Sequence, residues 1–163
     1  KKDLKEPVQE ILNSKIFPNI NKIREGVNFF KEVYPFHPLT SFILPLLAQR
    51  LAQNERTVFT FLGSSEAYGF NELADQIDFP EYIMPHHIFD YFVNNQGSYI
   101  HDHLTHRRWV EVLNAIERSG DIDSNALNTL KTIGLLNIIG VIANFKSSPE
   151  LLSILYGKKE LDK

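Results

Sequence analysis

The sequence has no cysteine among its 163 residues. That excludes a disulfide scaffold, a thiol nucleophile, a Cys-ligated zinc and an iron–sulfur centre. No apolar run reaches the roughly 18 residues of a membrane span, and the start has no signal-peptide pattern. Methionine occurs once, at Met84, and the chain opens on Lys1. We therefore expect a piece cut from a longer protein. Charge of one sign is lacking too: 17 Lys+Arg stand against 20 Asp+Glu, a net charge of −3. Bulk electrostatic binding of nucleic acid is disfavoured by that balance, which leaves room only for a local basic patch. The phosphate-cradling Gly-rich turn before Lys-Ser/Thr is absent, as are the Gly-x-Ser-x-Gly elbow and the His-Glu-x-x-His zinc helix. A self-contained NTPase, α/β-hydrolase or zincin is correspondingly disfavoured.

What is present is an ordinary globular balance, 43% hydrophobic and 23% charged. A chain of this length can bury roughly 70% of its unfolded surface without staples. Helical spacing dominates. Val8, Ile11 and Leu12 mark a first helix over residues 5–15, ended by Phe17-Pro18. Ile20, Ile23, Val27 and Phe30 mark a second, weakened by Gly26. Tyr34-Pro35-Phe36-His37-Pro38 must be a turn or extended bend, because two prolines fix two φ angles and remove two donors. Pro38 then opens a helix with the stripe Leu39, Phe42, Ile43, Leu46, Leu47 and Leu51, which Pro45 should kink or split.

Asn54 is placed to cap a short helix closed by Gly63, and residues 64–80 read as loop with a helical turn near 71–77. Pro85 starts a helix carrying Ile88, Phe89, Phe92 and Val93. Trp109, Val112, Leu113 and Ile116 form one face of the next, which Gly120 ends. Asp123 or Ser124 caps a helix through Leu127, Leu130, Ile133, Leu136 and Ile139 that is apolar on most sides, hence central and buried. Ser148-Pro149-Glu150 is a strong start signal for a last helix, with Gly157 as its stop. Residues 141–145 form a candidate short strand or wing.

The fold class expected is all-α, a multi-helix bundle whose C-terminal part is winged-helix-like. Its divisions are a helical subdomain over 1–63, a connecting region over 64–84 and a second helical subdomain over 85–163.

Three constellations could carry chemistry. His101, His103 and His106 lie close enough in sequence for a zinc or nickel site, although a solvated helix start explains them better. His86-His87 is a candidate ligand or proton-transfer pair, but neighbours on a helix point about 100° apart. Arg107 and Arg108 beside Trp109, with Lys131, are the candidate DNA contacts. The helix after Pro149 has no Arg, Lys, Asn or Gln over residues 149–156, so it cannot read base edges.

The segment Tyr34-Pro35-Phe36-His37-Pro38-Leu39, then Leu44-Pro45-Leu46, then the run from Gln53-Asn54-Glu55-Arg56 to Phe61-Leu62 resembles the region after the nucleotide-binding core in large bacterial P-loop ATPases, AAA-like or STAND-like, several of them associated with phage defence. The later run from Leu130-Lys131-Thr132 to Leu136-Asn137 resembles the same group. The resemblance implies a non-catalytic lid and regulatory domain of a larger cytoplasmic ATPase. It makes Arg56, with Glu55 and His37, the nucleotide-sensing candidates, Arg56 stabilising γ-phosphate charge. ATP and magnesium would belong to the parent protein and no cofactor to this fragment. The partner would be the nucleotide-binding core of the same parent chain, with a further protein partner open, nucleic acid not favoured and no membrane. Two rival readings are a DNA-binding winged-helix adaptor and a metal-dependent enzyme using the histidine cluster.

Overall fold

A computed structural model describes Gln9 and residues 22–52, 56–78, 81–95, 103–143 and 147–157. Eight helices are described: α1 (Ile23–Val33), α2 (Pro38–Ala52), α3 (Arg56–Gly63), α4 (Phe70–Gln76), α5 (Pro85–Asn95), α6 (His103–Arg118), α7 (Ser124–Ala143) and α8 (Pro149–Tyr156). The only β pairing among the described residues is an isolated parallel bridge, Phe36 to Ile83. The chain is all-α, a multi-helix bundle. The helix expected over residues 5–15 lies outside the described residues except for Gln9, which is helical.

The helix boundaries follow the local chemistry. Asp123 accepts the backbone N–H groups of Asn125 at 3.0 Å and Ala126 at 3.1 Å, an N-cap for α7. Ser148 accepts the N–H of Leu151 at 3.3 Å at the head of α8, with Pro149 in the first turn. Gly120 and Gly157 follow α6 and α8 at φ 65° and 86°, a region that side-chain-bearing residues avoid.

The longest helix, α7, is the hub. It packs on α2, α5, α6 and α8. Leu135, Leu136, Ile138 and Ile139 are buried along it, together with Thr132. Around it gather Leu39, Ile43 and Leu47 of α2, Phe61 of α3, Ile88, Phe89, Tyr91 and Phe92 of α5, and Trp109 of α6. Trp109 stacks on Phe89 with ring centroids 5.1 Å apart. The central position expected for this helix is the observed one. A single apolar cluster draws on both sides of residues 64–84, and Leu73 and Ile83 from that segment are buried in it.

Three expectations are corrected. Val141, Ile142 and Ala143, expected to start a strand or wing, complete α7, while Asn144 and Phe145 lie outside the described residues. The β-branched Val141 and Ile142 cost only a few tenths of a kcal/mol each at the end of a helix already nucleated, and Ala143 is the best helix former. Pro45 does not split α2, which continues through it. Pro45 is exposed, so its ring takes no place in the core face of α2. Phe42, assigned to the inward stripe, is 37% exposed, and the buried face of α2 runs instead through Leu39, Ile43, Leu44, Leu47 and Ala48.

The α6–α7 crossing depends on a glycine. A Cβ on Gly134 would overlap the methyl groups of Val112. Val is branched at Cβ and has little rotamer freedom in a helix, so it cannot swing aside. Gly134→Ala should therefore lower stability in urea unfolding by about 1–3 kcal/mol, as overpacking does. Adding Val112→Ala should recover part of that loss, whereas an ordinary exposed Gly-to-Ala change in a helix would raise stability.

Candidate functional site

The bend over residues 34–38 is an ordered joint. The Tyr34–Pro35 peptide is cis. Between the two prolines the bend keeps the donors of Phe36 and His37, and both are used. Phe36 N–H donates to Val33 O at 2.8 Å and His37 N–H to Ile83 O at 3.1 Å, while Ile83 N–H returns a bond to Pro35 O at 2.8 Å. Leu39 N–H donates to His37 Nδ1 at 3.2 Å, so histidine serves as the N-cap of α2. The buried imidazole meets the edges of Phe30 and Tyr82, with centroids 6.2 and 5.8 Å away. Burial pushes its pKa down to about 4. A neutral ring with Nδ1 as acceptor carries its proton on Nε2. In this geometry His37 braces the joint between α1, α2 and the Tyr82–Ile83 segment.

The second site is a cleft of about 570 Å³ bounded by α4, the segment over residues 81–84, α5, α7 and α8. Its floor is polar. Tyr156 Oη, from α8, lies 2.9 Å from His86 Nδ1 and 2.6 Å from Thr132 Oγ1, and donates toward Asn128 O at 3.3 Å. One phenol thus ties α8 to α5 and α7. His87 Nδ1 accepts Met84 N–H at 2.9 Å, which caps the α5 terminus and leaves the proton on Nε2. Adjacent histidines were expected to point apart, yet their ring centroids are 4.1 Å apart. The 100° separation applies to Cβ directions, and the rings turn back toward each other about χ1 and χ2.

Electrostatics at the floor follow from burial. Lys131 Nζ sits 2.7 Å from Asp90 Oδ1, with side chains 15% and 25% exposed. Burial, then His87, then Lys131 push the His86 pKa down to about 3, and burial lowers His87 as well. Burial pushes the Tyr156 pKa well up, so it remains a phenol. At neutral pH the floor contains two uncharged imidazoles, a phenol and one closed ion pair.

The other candidates are dispersed. Arg56 is the first residue of α3, and Glu55 lies outside the described residues. His101 also lies outside them, His103 begins α6, and His106 is exposed. Among the described residues no three His, Asp or Glu side chains gather as a metal-holding group. Arg107 pairs with Glu111 at 3.1 Å, Arg108 donates to Asn137 O at 3.0 Å across the α6–α7 groove, and Lys131 turns toward α5. The three cations named as DNA contacts therefore do not share one face. Sequence reasoning missed the Tyr156 network because its partners lie 24, 28 and 70 residues away.

The buried neutral histidines make stability depend on pH. In the unfolded chain each titrates near 6.5, whereas in the fold His37 and His86 titrate near 4 and 3. Between those values the unfolded chain binds more protons, so stability falls as pH falls through that window. Urea-derived stability should drop by about 4 kcal/mol between pH 7.5 and pH 5 from these two rings. His37→Asn keeps a cap acceptor and removes a titrating group, so it should shrink the drop by about 2 kcal/mol. An equal drop in that variant would contradict the assignment.

No family model matches the chain, and neither a curated protein nor a solved structure matches it.

Proposed function

We propose that the chain is a non-catalytic lid and regulatory domain of a larger cytoplasmic P-loop ATPase. The observation that carries the reading is Phe59, a phenylalanine 69% exposed on α3, one turn beyond Arg56 and beside the partly exposed Leu62. Isolated large apolar side chains need no explanation, but this one lies in the segment whose sequence resembles the region after an ATPase core. Helix α3 packs on α2, and the His37 joint ties the start of α2 to α1 and to the segment before α5. A displacement at α3 would therefore be passed to the rest of the bundle rather than absorbed in a loop. In this reading Phe59 and Leu62 rest on the nucleotide-binding core of the parent chain. Arg56, entering α3 from the same end, senses the γ-phosphate, whose charge a guanidinium stabilises. ATP and magnesium are held by the core.

Arg56→Ala in the intact parent protein should lower ATP turnover by about tenfold or more, since catalytic arginines contribute at least that much. Phe59→Ser should lower turnover as well. Because Phe59 is exposed, the same change should alter the stability of this domain by no more than about 0.5 kcal/mol. Unchanged turnover in both variants, with helicity and urea midpoint retained, would overturn the lid reading.

A further inference from the structure

A second interaction surface follows from the charge around the cleft. Residues 57–106 contain neither lysine nor arginine. Of the exposed acids on α4 and its flanks, Glu72, Asp75, Asp78 and Glu81, it is Glu81 that lines the cleft itself. Of the cleft-lining residues none is Lys or Arg, and the nearest cation, Lys131, is closed onto Asp90. The field in this concavity is therefore negative, and a concave low-dielectric wall concentrates it.

Besides Tyr156, two tyrosines stand in the same cleft. Tyr68 is 43% exposed and holds a left-handed backbone at φ 62°. Its N–H is fixed by Glu72 Oε2 at 2.7 Å, and the loop bearing it is pinned to α5 by Asn95 donating to Ala67 O at 2.7 Å. A non-glycine residue in that conformation is strained, and here the strain keeps an aromatic ring at the cleft wall. Tyr82, half-buried, stands against His37 and Tyr34 with centroids 5.8 and 5.7 Å away.

We propose that this cleft docks an arginine-bearing segment of a partner polypeptide, its guanidinium set against the Tyr68 and Tyr82 rings with Glu81 as counter-ion. The choice of occupant rests on charge complementarity and on the rings. A guanidinium is planar, weakly hydrated and stacks on aromatic faces, so it suits this lining better than an ammonium does. Phosphate-bearing partners find no free cation in the lining. A bare divalent ion finds no three-ligand group among the described residues. The cleft, about 570 Å³, is several times larger than one guanidinium needs and has room for flanking peptide. The surface is independent of the ATPase reading, because none of its residues belongs to the α3 region.

The test uses the 163-residue chain, ¹⁵N-labelled, titrated with the blocked tripeptide Ac-Gly-Arg-Gly-NH₂ and its uncharged isostere Ac-Gly-citrulline-Gly-NH₂. Saturable shifts should appear at the amides of Tyr68, Glu81, Tyr82 and Asn125 with the arginine peptide, and citrulline should bind at least about threefold more weakly. Glu81→Gln should weaken binding about threefold and raise its tolerance to salt. Tyr68→Gly removes the ring while relieving the positive φ, so it keeps the fold and should weaken binding by a similar factor. Equal shifts with the two peptides, shifts spread over the whole acidic surface without saturation, or unchanged affinity in both folded variants would each overturn the proposal.

Discussion

The structure depends on burying one helix, α7, against four others. A 20-residue helix that is apolar nearly all round cannot lie on a surface, and its neighbours are arranged to cover it. Three of its polar residues fall on one strip. Asn128, Lys131 and Thr132 fall at i, i+3 and i+4, one strip of the helix, and that strip meets His86, Asp90 and Tyr156. A neighbouring strip, with Gly134, allows the close approach of α6. One helix thus sets both the apolar core and the single polar seam through it.

Such a seam must be complete, because an unpaired polar group in low dielectric loses about as much as a good hydrogen bond gains. Lys131 finds Asp90, and Tyr156 finds three partners on two helices. His37 and His87 serve as neutral acceptors of backbone N–H groups, a role for which burial suits them and which protonation of Nδ1 would abolish. Helix α8 has eight residues, too few to hold helical form in isolation. It persists because Leu151 and Leu152 are buried and because Tyr156 fixes its rotation about its own axis.

Helix identity was legible where chemistry is local. Asp123, Ser148-Pro149 and Gly157 mark ends by hydrogen bonds and backbone geometry within a few residues, and those ends are where the spacing puts them. The inward face of α2 was legible only in part: Leu39, Ile43 and Leu47 of the expected stripe are buried. Its apolar residues surround the helix, so periodicity selects no single direction, and only packing on α7 decides that Leu44 and Ala48 turn inward while Phe42 stays partly exposed. The end of α7 misled for a related reason: Val141 and Ile142 favour strands in isolation, but a helix already in place decides the conformation of its last turn. The candidate site was half visible. His37, singled out through the resemblance, caps α2. The partner that gives His86 its role, Tyr156, lies 70 residues away, beyond any local pattern.

The segment over residues 64–84, which reads as a connector, is a structural wall. Leu73 and Ile83 go inward into the common core, and Ile83 is also the residue bridged to the bend. Glu66 accepts the hydroxyl proton of buried Tyr91 at 2.6 Å, so even the loop before α4 is anchored to α5. Its remaining acids have no inward role and face water. A connector needs flexibility and neutral polar residues. A wall fastened by Ile83, Glu66 and Asn95, with carboxylates and Tyr68 on its outer side, has the properties of a surface held in shape. The rigid attachment therefore gives the acidic cleft a fixed geometry, which a partner can meet without first ordering it.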